Sequence, residues 1–355
     1  MVRVIIIFFT IASSLFSQNN DNYIKGRVTE SATGKPLPGA NVYLNETMIG
    51  TTSDLSGNFI IKNIPAGTYE LITSMIGFDV ETSRIVFRDG THIAFNVELN
   101  EKLYDFGTVV VEAEKDDTWQ QNLIFFKKLF LGQSNFAEGC VIQNETSLEF
   151  DREADRFYVH TYEPLKIVNN SLGYQLNCDL IEFYYSEAEN SYKYLIKTFF
   201  KDLSSEDNMK GYHWTINRSN AYYGSFHHFL KALAKKEAVK DGFEIKLSKI
   251  ADYHIDLESP EGYGTLNENQ ITEDDEYGVL QKIVFDDYLR VLYNDPLSKK
   301  RILSYLKLRG FEATIDEEGA LMESMPFQFF GTWALRGVAD MLPRNFEPVG
   351  SGMNK

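Results

Sequence analysis

The chain has 355 residues, 43% hydrophobic and 14% aromatic, enough for two domains with separate buried cores, and this excludes disorder as its main state. Its net charge of -16 excludes the clustered cationic surface by which a protein grips nucleic acid or an anionic membrane, so no nucleic-acid partner is expected. Calcium and basic protein surfaces remain open.

In chain order, Met1 to Ser17 has a basic start at Arg3, an apolar run from Val4 to Ile11 and small residues at Ser13, Ser14 and Ser17. That is the pattern of a secretory signal peptide, expected over residues 1–17, with cleavage after Ser17. No cysteine follows the run to carry a lipid, and no later stretch approaches the ~20 apolar residues of a membrane-spanning helix. The mature chain is therefore expected to be exported, with no transmembrane segment, and to reside in the periplasm, at the outer membrane or outside the cell.

Residues 18–100 read as a small antiparallel β-sandwich, because short alternating apolar runs are each closed by turn chemistry. Strands are expected at Tyr23 to Thr29 and Ala40 to Asn45, separated by Thr33-Gly34-Lys35-Pro36 and Pro38-Gly39. Asp54 and Gly57 suggest a hairpin over Thr51 to Ile61. Pro65-Ala66-Gly67 leads into a central strand through Tyr69, Leu71 and Thr73, and Val80 to Phe87 and Thr91 to Leu99 complete the sandwich around Asp89-Gly90.

Gly26-Arg27-Val28, the run Gly34 to Val42, Gly50 to Asp54, Gly57-Asn58-Phe59, Pro65 to Tyr69 and Gly77-Phe78 together resemble the carboxypeptidase regulatory-like domain. That resemblance implies a transthyretin-like sandwich of the kind found in secreted Bacteroidetes proteins and at the front of their TonB-dependent outer-membrane receptors. It implies no catalytic residue.

Residues 101–117 are expected to form a linker strand, Phe106 to Ala113, and a charged hinge, Glu114 to Asp117. In the receptors that carry this module, a similar valine-rich segment adds as a strand to the energy-transducing protein. Residues 118–355 read as a β-rich α+β domain. Trp119, Leu123, Phe126 and Phe130 recur at helical spacing, with Thr118 as the cap and Gly132 past the end. Strands follow at Cys140 to Ile142, Leu148 to Phe150, Phe157 to Tyr162, Leu165 to Val168, Tyr174 to Tyr185 and Tyr192 to Phe200. A second helix is signalled from Ser219 or Asn220 through Tyr222, Phe226, Phe229, Leu230 and Leu233, then a long polar loop from Glu258 to Gly278. Strands resume at Val279 to Phe285, Leu289 to Tyr293 and Ser304 to Leu308, and a last helix is expected over Thr332 to Met341. Scattered motifs, among them Phe130-Leu131-Gly132, Leu172-Gly173-Tyr174, His228 to Leu233 and Val338 to Pro343, resemble the C-terminal region of exported Bacteroidetes proteins that carry the same module. This implies a shared architecture and no known activity.

Cys140 and Cys178 both sit in apolar strand-like runs, and two buried free thiols fit this better than a bridge. His160 and Glu163 form an H-x-x-E pair, the beginning of a zinc metallocarboxypeptidase ligand set, with His227, His228 or His254 to complete it. Within one strand, however, residues three apart point to opposite faces, and the adjacent His227 and His228 lie about 100° apart on a helix. The acidic run Glu273 to Glu276 lacks the spacing of a calcium loop. Tyr184, Tyr185, Tyr192, Tyr194, Phe199, Phe200, Tyr212, Trp214, Tyr222 and Tyr223 offer either core or an aromatic surface for a sugar or a partner, and their alternation with large residues favours core. No catalytic, cofactor-binding or metal-ligating residue is assigned and no cofactor is expected. The reading is a non-enzymatic binding or scaffold protein of the envelope, its partner a protein or a glycan. Its alternatives are an accessory to TonB-dependent uptake and a zinc peptidase.

Overall fold

The computed structural model describes residues 21–102, 116–204, 207–249, 264–275, 280–295 and 299–349. The expected signal peptide, the linker strand, His254, Glu276 and part of the Glu258 to Gly278 loop lie outside them.

The chain is mainly β, in several sheets. Its N-terminal part is a sandwich of β1 (Tyr23–Glu30), β2 (Asn41–Leu44), β3 (Gly50–Thr52), β4 (Asn58–Lys62), β5 (Gly67–Ser74), β6 (Glu81–Phe87), β7 (His92–Ala94) and β8 (Val97–Leu99). One sheet is ordered β3-β2-β5-β6; in the other, β1 pairs with β4, β7 and β8. Alternation places Ile24, Val28, Val42, Leu44, Phe59, Ile61, Leu71 and Phe87 in one core between them. The expected hairpin over Thr51 to Ile61 is instead a crossing between sheets: β3 pairs β2, whereas β4 pairs β1. Its turn chemistry is as anticipated. The Asp54 carboxylate accepts from the amides of Ser56 and Asn58, both at 2.8 Å, and Gly57 has φ +79°.

The second region has two cores rather than one. The first is a six-stranded sheet of β9 (Cys140–Ile142), β10 (Leu148–Glu153), β11 (Arg156–Thr161), β12 (Leu165–Asn169), β13 (Tyr174–Ser186) and β14 (Ser191–Asp202), covered by α1 (Asp117–Phe130). Asp116, not Thr118, caps α1 by accepting from the Trp119 amide. Its Leu123, Phe126 and Phe130 are buried, with Phe126 stacked on Phe130 and edge-on to Phe183. The long strand β13 shares one edge between β12, at Tyr174 to Cys178, and β11, at Tyr184 to Ser186, and gives the other to β14.

A helix not anticipated from the sequence, α2 (Asn208–Tyr222), covers the end of this sheet. It is too polar for a clear apolar stripe and is held through specific contacts. Trp214 packs so closely on Gly173 that a Cβ there would lie 2.2 Å from its ring, and Arg218 donates to the carbonyls of Leu172 and Gly173. The expected second helix therefore begins later, as α3 (Phe226–Ala234), capped by Ser225 rather than Ser219 or Asn220.

The second core joins α3 to a sheet of β15 (Phe243–Ser248), β18 (Tyr288–Asn294), β19 (Arg301–Leu308) and β21 (Phe327–Gly331). A small sheet of β16 (Thr272–Asp274), β17 (Leu280–Ile283) and β20 (Ala313–Asp316) adjoins it. Residues 331–349 then lace the molecule together. The expected helix at Thr332 to Met341 is two 3-10 turns, Thr332–Leu335 and Val338–Asp340, each closed by its own short bonds, while much of the segment's remaining hydrogen bonding goes to other elements. Gln133 donates to the Leu335 carbonyl at 2.7 Å, Asn169 to Ala339 at 2.9 Å, and the Trp333 indole to Gly224 at 2.9 Å. The Arg344 amide donates to Glu46 of the sandwich at 2.7 Å.

Candidate ligand-binding cleft

The sandwich is docked on the second region through polar groups rather than an apolar patch. Tyr43 donates to Asp179 at 2.6 Å, and burial raises the pKa of both groups. Lys197, nearly buried, meets Glu70 at 2.9 Å. Arg344 donates to the Thr68 carbonyl, meets Asp316 at 2.6 Å and lies over the Tyr69 ring. Arg84 of β6 reaches the Met322 carbonyl at 2.7 Å.

Between these contacts the regions leave a cleft of about 1190 Å³. Its floor is β14, from Ser191 to Lys197 without Lys193; its far wall is β21 and the loop Glu318 to Pro326; its roof is Asn45, Glu46 and Thr68 to Glu70 of the sandwich. Tyr192, Tyr194, Phe226, Phe329 and Trp333 supply aromatic surface, and Arg301, Arg309, Arg336, Glu46 and Asp340 supply charge. Such mixed lining, with most polar groups already partnered, suits a ligand held by stacking and by a few oriented hydrogen bonds.

Seven titratable groups that line the cleft are displaced from their ordinary values: burial raises Tyr69, Tyr192 and Tyr194 and lowers Arg336, and Glu46, Asp340 and His227 are displaced as well. Glu46 is exposed to the cleft, yet the protein crowded around its carboxylate desolvates it enough to raise its pKa despite the nearby Arg344 cation. Asp340 is raised by burial, against the Ser134 hydroxyl, which donates to it at 2.7 Å, and against Arg336. His227, half-buried at the wall, is lowered to about 4, first by desolvation and then by the Lys231 cation. Such displacement concentrated in one cleft marks it as the place to look for function.

The residues singled out from the sequence fall elsewhere or into packing. His160 is exposed on β11, 3.7 Å from Asp151, while Glu163 lies beyond the strand end beside Lys166. His228 is buried on α3, where its Nδ1 accepts from the Gly224 amide, and so does not share a site with His227. Among the described residues no group of three or more His, Cys, Asp or Glu side chains is placed to hold a metal ion. Glu273 and Asp274 lie on the short strand β16, and Asp274 pairs with Lys236.

Of the aromatic residues, Phe200, Trp214 and Tyr222 are buried and Tyr212 is exposed. Phe199 packs on Tyr43 at the sandwich junction, Tyr185 and Tyr194 both support the first core and line the cleft, and Tyr192 lines it while stacking on Tyr194. Cys140 and Cys178 are unbridged. They pair with Asn169 and Leu165 on opposite edges of β12, a separation of about 13 Å along the strand and two strands across, beyond disulfide reach. Burial raises each thiol to about 12.

The cleft itself was not foreseen. Tyr192 and Tyr194 were visible as aromatic alternation, but the loop Glu318 to Pro326 and β21 carry no signal that would bring them opposite β14.

The family match concerns the sandwich and the residues just after it. Residues 24–111 match the model of the CarboxypepD_reg-like domain. That domain is a regulatory, non-catalytic one. A TonB-dependent receptor P3 of Formosa agariphila is 26% identical over 100 residues, 28% of this chain. The match spans only 10% of that receptor's length. Among solved structures, the group B streptococcus pilus 2b backbone protein is 19% identical, over 23% of this chain and 41% of its own, with a TM-score of 0.20. A DUF3823 family protein of Parabacteroides merdae is 12% identical, over 50% of this chain and 80% of its own, with a TM-score of 0.19. Likenesses at this level carry no argument about fold or function. No helix among the described residues is long and apolar enough to cross a membrane, which leaves β-barrel spanning untouched.

Proposed function

We propose that this is an exported, non-enzymatic binding protein of the cell envelope, whose ligand, an envelope protein or a glycan, sits in the cleft between the sandwich and the second region. The observation that carries this is the coincidence, in one cavity of about 1190 Å³, of aromatic surface with the displaced groups Glu46, Asp340 and His227. No arrangement of nucleophile, base and orienting partner accompanies them among the described residues. The apolar run Val4 to Ile11 supports export, as does the kinship of about a quarter of the chain to part of a TonB-dependent receptor. That kinship also favours a second reading, in which the protein is an accessory to TonB-dependent uptake and its partner is a receptor.

The test is calorimetric titration of the full chain with panels of peptides and envelope glycans, repeated on Ala334→Trp. Ala334 lines the cleft and offers only its carbonyl, to the Tyr192 hydroxyl at 3.2 Å. The indole would obstruct the part of the cleft beside Tyr192, so a ligand seated there should be lost at unchanged stability. A ligand bound equally by both proteins would refute the cleft as its site.

A further inference from the structure

The lining of the cleft contains a signal of its own. A strand seen face-on contributes alternate residues to a cavity wall, because successive side chains point to opposite sides. Here Tyr194 to Lys197 of β14 line the cleft without a gap, as do Phe327 to Gly331 of β21. Consecutive lining means that the strand is seen edge-on.

The edge of β14 can be followed residue by residue. β14 pairs with β13 alone among the described strands. At its C-terminal end the other edge is already used by the sandwich. The Thr198 amide donates to the Asn45 side chain at 2.9 Å, the Glu46 amide to the Thr198 carbonyl at 2.7 Å, and the Phe200 amide to the Thr47 carbonyl at 2.9 Å. Thr47 and Phe199 thereby form a parallel bridge. Backbone groups alternate in direction along a strand, so if Thr198 and Phe200 point outward, so do Ile196, Tyr194 and Tyr192. The one irregularity in the β13–β14 ladder inserts its extra residue in β13, leaving the alternation of β14 intact. The amides of Tyr192, Tyr194 and Ile196 thus open into the cleft, where the sandwich's own strand-edge contact stops.

Resting on the cleft as the ligand site, we infer that the ligand is an extended polypeptide segment, which adds as a strand to the Tyr192 to Ile196 edge of β14 and continues the contact begun by residues 45–47. The main chain of the guest supplies the hydrogen bonds, and its alternate side chains meet the aromatic walls. A glycan would have no use for a row of amides at strand spacing, and so is the less suited occupant.

The test begins with a phage-displayed library of random octapeptides, selected on the full chain and counter-screened on Ala334→Trp. Enrichment of peptides with alternating apolar residues is expected, and the strongest is then synthesised. Two variants separate backbone from side chain. Tyr192→Ala removes only the ring, whereas Tyr192→Pro removes the ring and the outward amide together and should bind about tenfold or more weakly than Tyr192→Ala. As a readout independent of substitution, hydrogen exchange in the wild type should show the amides of Tyr192, Tyr194 and Ile196 becoming protected on peptide addition, beyond any change at Lys193 and Leu195.

Equal loss in both variants, or protection elsewhere, overturns the inference. So does protection of these amides by self-association without peptide. If no peptide is enriched but a glycan binds and is lost in Ala334→Trp, the strand-addition inference falls while the cleft reading stands. If nothing binds, both fall.

Discussion

The sandwich and the second region solve the same problem, burying β-sheets, in opposite ways. In the sandwich the Asp54 to Asn58 turn is shaped by residues nearby in sequence: Asp54 bonds Ser56 and Asn58, and Gly57 supplies the left-handed backbone beside them. In the second region the decisive contacts are remote. Gly132, just past α1, and Gly337, in the C-terminal segment, cross so closely that a Cβ on either would lie 2.5 or 2.6 Å from the other's amide nitrogen. Both are glycines in a tight place, yet one reports a local turn and the other a meeting of segments 205 residues apart, 337 less 132. A module built from local turns can be reused in many chains; a region sewn together by its last segment is specific to its own.

Variants can break this comparison. The largest effect should come from Gly132→Val, which combines strain at φ +92° with backbone contact, for a loss of about 3 kcal/mol or more. Thermal melting should show the loss in the second region as well as at the sandwich junction, because residues 331–349 touch all three cores. Next comes Gly57→Val, expected to cost about 2 kcal/mol because its Cβ would lie 2.5 Å from the Val28 carbonyl in addition to the positive φ. Gly39→Val has the same kind of backbone, φ +80°, but open space around it, and should cost about 1 kcal/mol. Equal melting shifts for the two would mean that packing around the Gly57 turn contributes nothing.

The smallest effect is confined to acid. His227 has an ordinary value of 6.5 and is lowered to about 4 in the folded chain, so the native state favours the neutral imidazole. Its contribution is complete above pH 6.5 and is lost as the pH falls from there through 4, where the unfolded chain takes up a proton that the native one refuses. Melting midpoints of wild type should fall over this window more steeply than those of His227→Gln, while the two change in parallel above it.

The difference between the regions also explains what was legible in the sequence. Turn chemistry at Pro38-Gly39, Asp54 and Gly57 and strict alternation exposed nearly every strand of the sandwich, although not that β3 and β4 belong to different sheets. That distinction is made by pairing and not by the turn. The strands from Cys140 to Asp202 were visible too, since their apolar alternation is long. Helix α2 was not, because Trp214 and Arg218 stabilise it against Gly173 and Leu172 rather than through an apolar stripe. The C-terminal turns were mistaken for a helix because Trp333, Val338 and Ala339 are apolar, yet Trp333 serves one core while Val338 and Ala339 serve another. The cleft depends on all of these, so its aromatic floor at Tyr192 and Tyr194 could be suspected but its walls could not.

The central claim is that function resides between the regions and not on the sandwich that the comparisons match. Carbodiimide labelling of carboxylates in the full chain, with and without the strongest binder from the peptide and glycan panels, tests it most directly. The account predicts protection of Glu46, Glu318 and Glu323, which line the cleft or its loop, with Glu30 and Asp54 on the far turns of the sandwich unchanged. Protection of Glu30 and Asp54 with the cleft carboxylates still reactive would contradict it.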